Sequence, residues 1–111
     1  MIFKLFFAIA LTFATIGNAS AADTMIGPIT HICRDVTKTP ENAHLTLMWV
    51  VGYVSGVNNL SKVDFLKGRE MDAIIDHFRD VCGENPDWNV LDAARRVVAR
   101  LRIETLPREL R

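Results

Sequence analysis

The stretch TPENAHLTLMWVVGYVSGVNN, residues 39–59, decides the fold. Thr39 is a good helix N-cap, Pro40 suits a first helical position that needs no N–H, and Glu41 sets a negative charge at the positive helix end. From Leu45 to Val57 no residue is charged, and these 13 residues are too few to cross a bilayer. The spacing predicts a helix that runs to about Val57, stops at Asn58-Asn59, and is buried nearly all round. At about 100° per residue, Leu45, Met48, Trp49, Gly52 and Gly56 share one side, and Leu47, Val50, Val51 and Val54 lie away from it.

Working outward, Met71, Ile74, Ile75, Phe78, Val81 and Cys82 trace one apolar arc, with Asp72, Asp76 and Asp80 opposite. This predicts a half-buried helix from about Arg69 to Cys82, with Gly83 as its C-terminal cap and Asn85-Pro86 restarting the chain. A third helix is expected from about Asp87 to Ile103, carrying Val90, Leu91, Ala94, Val97, Val98 and Leu101 on one face. Residues 22–39 are expected to be largely irregular, and Pro107 to end the order. No segment alternates with the period of two that a strand requires. The fold class is therefore all-α, a small single-domain bundle of three to four helices.

The chain opens with Lys4 and an apolar run from Leu5 to Ile16, followed by the small residues Ala19-Ser20-Ala21. That order is the pattern of a secretory signal peptide, so residues 1–21 are expected to be removed and residues 22–111 to form one exported helical domain in the periplasm. A domain this small is marginal without a covalent staple. Cys33 and Cys82 are its only cysteines, and an oxidising compartment favours their pairing as a disulfide. A zinc site needs about four clustered ligands, and these two stand alone.

Past residue 21, 12 Lys and Arg face 13 Asp and Glu, with His31, His44 and His77 in addition, so the net charge near neutrality is close to −1. With every carboxylate protonated the same residues carry +15. The three histidines are scattered, and His77, beside Asp76 and Asp80, reads as part of a solvated ion pair. The i, i+4 row of Asp72, Asp76 and Asp80 reads as a solvated face, since calcium loops use another spacing. Arg95, Arg96, Arg100, Arg102, Arg108 and Arg111 make the C-terminal end basic, flanking the apolar stripe and complementing the negative end of the last helix. No nucleotide-binding, metalloprotease or serine-hydrolase motif is present. No catalytic residue, metal ligand or cofactor is assigned, and nucleic acid is not an expected partner.

The chain resembles the HdeA/HdeB family of small periplasmic acid-stress chaperones over roughly residues 32–101. The resemblance rests on Cys33, on Met48-Trp49-Val50-Val51-Gly52-Tyr53 with Asn58 shortly after, on Val63-Asp64-Phe65, and on Val81-Cys82-Gly83-Glu84-Asn85-Pro86. It implies an all-α domain with its two cysteines bridged, self-associated near neutrality, that exposes apolar surface in acid and holds unfolding envelope proteins soluble. The Arg-rich C-terminus departs from the lysines more familiar in that family. The Trp49–Gly56 segment and the Cys82-to-Pro86 spacing are also similar to secreted immunity proteins of the Rap1a/Tai type, which implies a fixed surface that neutralises an envelope-targeting toxin.

Two amphipathic helices with one stripe each are not expected to cover both sides of the first helix. Leu47, Val50, Val51 and Val54 are thus the expected client- or dimer-binding surface; either the lead-in and the 60–68 linker fold over what remains or a second copy of the chain does, and a homodimer at neutral pH is the favoured expectation.

Overall fold

Thr39 starts the long helix as its chemistry requires: its backbone is extended and its hydroxyl accepts the N–H of Asn42 at 3.3 Å, with Pro40 next in the first turn. The computed structural model describes residues 25–36 and 38–111. The expected leader, residues 1–21, and its cleavage site lie outside the described residues. The order of elements is α1 (Cys33–Val36), α2 (Pro40–Leu60), α3 (Met71–Glu84), α4 (Val90–Thr105) and a final 3-10 turn (Arg108–Leu110). No strand occurs among the described residues; one isolated bridge pairs Ile32 with Asn89. The all-α expectation holds, with four helices among the described residues and a disulfide from Cys33 to Cys82.

α2, α3 and α4 pack pairwise around one core, and α1 docks on the first two. Val50 and Val54 from α2, Ile74, Phe78 and Val81 from α3, and Val97 and Leu101 from α4 are all buried there, together with Phe65 from the linker. The row of α2 that faces inward is Thr46, Val50 and Val54, spaced i, i+4, i+8. It meets small residues of α4, since Ala93, Ala94 and Val98 belong to the same core.

This corrects the surface expected on α2. Val50 and Val54 are 1% and 0% exposed and belong to the core, so the folded protomer does not offer these two to a partner; Leu47 and Val51 are half-buried against that core. The opposite side is the open one: Leu45 is 60% exposed, Met48 38%, and nothing lies within 4 Å of a Cβ built at Gly52 or Gly56. The helix is therefore not buried all round in the protomer.

Helix ends also moved. α3 runs through Gly83 to Glu84, because Asn85 caps it twice on one carbonyl: its backbone N–H and its side-chain amide both donate to the Val81 oxygen, at 2.9 and 3.0 Å. α4 begins at Val90, where the Asn89 side chain accepts the N–H of Asp92 at 2.8 Å. The lead-in is more ordered than its composition suggested. Cys33 N–H donates to Trp88 O at 2.8 Å and Val90 N–H to His31 O at 2.8 Å, which ties residues 31–33 to the turn between α3 and α4. Beyond Pro107 the chain continues in order, as Arg111 folds back to donate to the carbonyls of Leu106 and Glu104 at 2.7 and 2.6 Å.

Candidate functional site

The disulfide lines an apolar depression. Cys33 on α1 is bonded to Cys82 on α3, 49 residues later, and the start of α2 passes beside them. Val36, Ala43, Leu47 and Phe78 form an apolar groove of 390 Å³ around the bridge, and Arg34 and Arg79 border it. Three of the residues singled out in the sequence, Cys33, Cys82 and Leu47, thus meet in one place. Val50 and Val54 lie in the core beneath, and Val51 packs against that core. A groove of this chemistry favours apolar side chains with little preference for sequence, since it contains few polar groups to fix an orientation.

A second arrangement joins α3 to α4. Glu104 on α4 accepts a hydrogen bond from Arg69 Nη1 at 2.8 Å on one carboxylate oxygen, and His77 Nε2 on α3 lies 3.1 Å from the other. Partial burial alone would raise the Glu104 carboxyl. The Arg69 hydrogen bond and the neighbouring His77 outweigh it and hold the group below the usual glutamate range. Gly68, with φ of 74°, takes the left-handed turn that leads into Arg69. Two further ion pairs cross element boundaries, Arg100 of α4 with Glu84 of α3 at 2.5 Å, and Arg34 of α1 with Asp87 of the α3–α4 turn.

Sequence reasoning placed His77 with Asp76 and Asp80; the structure gives it to Glu104 instead. The signal was available. His77 lies three residues after Ile74 and four before Val81, and Glu104 three after Leu101, so each interrupts an apolar stripe. A polar residue on a core-facing stripe needs a partner, and these two are partners.

The tryptophan of the α2 segment has a structural task. Trp49 stacks on Tyr53, with ring centroids 5.4 Å apart, and its Nε1 donates to Ile26 O at 3.0 Å. Gly27 lies directly against it: a Cβ there would fall 2.1 Å from Nε1, and its φ of 142° is one that only glycine adopts readily. Residues 26 and 27 are thereby held on the flank of α2.

Asp72, Asp76 and Asp80 are all exposed on α3. Among the described residues no group of three His, Cys, Asp or Glu side chains is placed to hold a metal ion. No helix among them is long and apolar enough to cross a membrane. Comparison with family models, with curated proteins and with solved structures finds no match to this chain.

Proposed function

We propose that this protein is an exported, non-enzymatic chaperone of the periplasm that binds acid-unfolded envelope proteins and limits their aggregation. The observation that supports this reading most is the seam between α3 and α4, closed by Glu104 between Arg69 and His77. A carboxyl held below its ordinary range stabilises the folded state above the unfolded value, and that contribution is lost as pH falls through the folded value. Once Glu104 is neutral, Arg69 loses its counter-charge at the seam. In strong acid, where carboxylates in general are neutral, the ion pairs of Arg100 and Arg34 weaken as well, while the chain past residue 21 moves from about −1 toward +15.

Each of these pairs is partly exposed and individually weak, so the response is collective. Parting the seam would bare Ile74, Phe78, Val97 and Leu101, which are core residues at neutral pH. The groove over Cys33–Cys82 adds a seat for apolar side chains that is already open. The bridge itself does not titrate, so α1 and α3 stay tethered in the opened state and can close again.

At neutral pH we assign the outer face of α2, Leu45 and Met48 with Gly52 and Gly56 between the turns, to a second copy of the chain. Sedimentation from pH 7 to about pH 2 with an apolar dye present tests both parts. The reading expects a dimer at neutrality, dissociated by Met48→Glu, and a monomer that brightens the dye in acid while retaining helical circular dichroism. A protein that stays dark at every pH would refute the chaperone reading. A strict monomer at pH 7 and tens of micromolar would refute the dimer alone.

A further inference from the structure

The end of the bundle where α2 and α4 both finish carries a feature that client binding does not use. Leu60, the last residue of α2, is 88% exposed and Val63 in the following loop is 58% exposed. Leu106, just past α4, shares one shallow depression with them, and Leu110 in the final turn is exposed as well. Cations flank these side chains, two in the depression and two in the sequence that follows Leu106. Lys62 and Arg102 line the same depression, Arg102 held by the Phe65 ring at 5.4 Å and by the Ser61 hydroxyl at 3.0 Å. Arg108 and Arg111 follow Leu106, and Arg111 is fastened to the Leu106 carbonyl.

The nearby acids are mostly engaged elsewhere. Asp64 accepts from the Asn58 amide at 2.9 Å and the Leu66 N–H at 3.3 Å, and Glu104 belongs to the clasp with Arg69 and His77. Glu109, in the final turn, has no ion-pair partner among the described residues. Lys62 and Arg108 have no acidic partner among the described residues.

We infer that this tip is a docking surface for an anionic phospholipid bilayer, with Leu60 and Val63 entering the interfacial region and Lys62, Arg102 and Arg108 meeting lipid phosphates. Two observations select this occupant. Leu60 and Val63, 88% and 58% exposed, leave most of their apolar surface outside the shallow depression they border, which suits a soft, deformable interface. A second copy placed on the same patch would bring the same cations face to face, which opposes self-association there. Anionic headgroups supply the missing counter-charge, and guanidinium groups bind phosphate in two-point fashion. This inference does not depend on the chaperone reading, and either can fail without the other.

The test is co-sedimentation of the oxidised exported form at pH 7 with large vesicles of phosphatidylglycerol and phosphatidylcholine, against vesicles of phosphatidylcholine alone. Binding is expected to the anionic vesicles only, and to be lost between about 50 mM and about 500 mM salt. Leu60→Ser with Val63→Ser should raise the lipid concentration for half-binding at least ~10-fold, with circular dichroism unchanged because both positions are exposed. Lys62→Gln with Arg108→Gln should raise it roughly 25-fold, at about fivefold per charge. Equal binding to neutral vesicles, no binding at low salt, or indifference to the Leu60 and Val63 changes would overturn the inference. Capture of polyglutamate without any vesicle binding would also overturn it, and would assign the patch to an acidic peptide.

Discussion

The Asn58 side-chain oxygen accepts the backbone N–H of Phe65 at 2.9 Å, and so carries the end of α2 into the fold of the linker. The same oxygen accepts Leu66 N–H at 3.3 Å, and the amide nitrogen donates to Asp64. One side chain thus holds three consecutive residues in a loop without regular structure and sets the Phe65 ring, 1% exposed, into the core. Asn58→Ala should cost about 1–3 kcal/mol, because two backbone donors lose a partly buried acceptor. Urea unfolding at pH 7 measures it; a loss below a few tenths of a kcal/mol would mean that the linker orders itself without this residue.

Removing the bridge should have a larger effect. The Cys33–Cys82 loop spans a sequence separation of 49, and on the chain-entropy account its closure is worth about 4 kcal/mol. Replacing both cysteines by Ser should lower the melting temperature by ~20 °C for a domain of this size. Labelling of the native protein should find no free thiol among the two; two reactive thiols would contradict the bridge.

Gly27→Ala tests the close approach to Trp49 at little cost to the rest. The added methyl would occupy the position of the indole edge, so residues 26 and 27 should leave the flank of α2. Trp49 would lose its hydrogen bond to Ile26 O. Indole fluorescence should shift to the red and the chain should become sensitive to proteases near residue 27. Thermal stability should fall little, since the bridge and the hydrogen bonds of His31 and Cys33 to the α3–α4 turn persist. An unchanged emission spectrum would contradict the contact.

Much of the architecture could be read from local chemistry. Thr39-Pro40 announced the start of α2, because capping needs only neighbours in sequence. The stripes of α3 and α4 were legible because each has one polar side. The inward side of α2 was not, since a run without charge from Leu45 to Val57 offers two apolar faces of similar strength. The choice fell to the valine row because the surfaces it meets on α3 and α4 fit it, which is a property of three helices together. The disulfide was expected from the cysteine count and from the leader-like pattern at the start of the sequence. The Glu104 clasp joins residues 27 and 35 positions apart, so only the interrupted stripes hinted at it. The short α1 turn depends on the bridge and on backbone partners more than fifty residues away, and nothing in residues 22–39 marks it.

Glu104→Gln should separate the seam from the rest of the acid response. The Glu104 side chain is 40% exposed, so after solvent screening its pairing is worth less than about 1 kcal/mol. Its carboxyl lies below the reference value of 4.5, so the variant should be the weaker one above about pH 5, and the difference should vanish in strong acid as the wild-type group protonates. Paired denaturant curves across this range measure it. A difference that grows as pH falls would have the wrong sign for a depressed carboxyl.

The most direct measurement of the proposed function is light scattering from an acid-labile protein brought to about pH 3 with this protein in molar excess. The account predicts that aggregation is suppressed in acid, that the same mixture gives far weaker protection against heat-induced aggregation at pH 7, where only the groove is open, and that suppression survives in Met48→Glu, since the outer face of α2 is assigned to the neutral dimer. Aggregation that proceeds unchanged at excess protein, from mildly to strongly acidic pH, would contradict it.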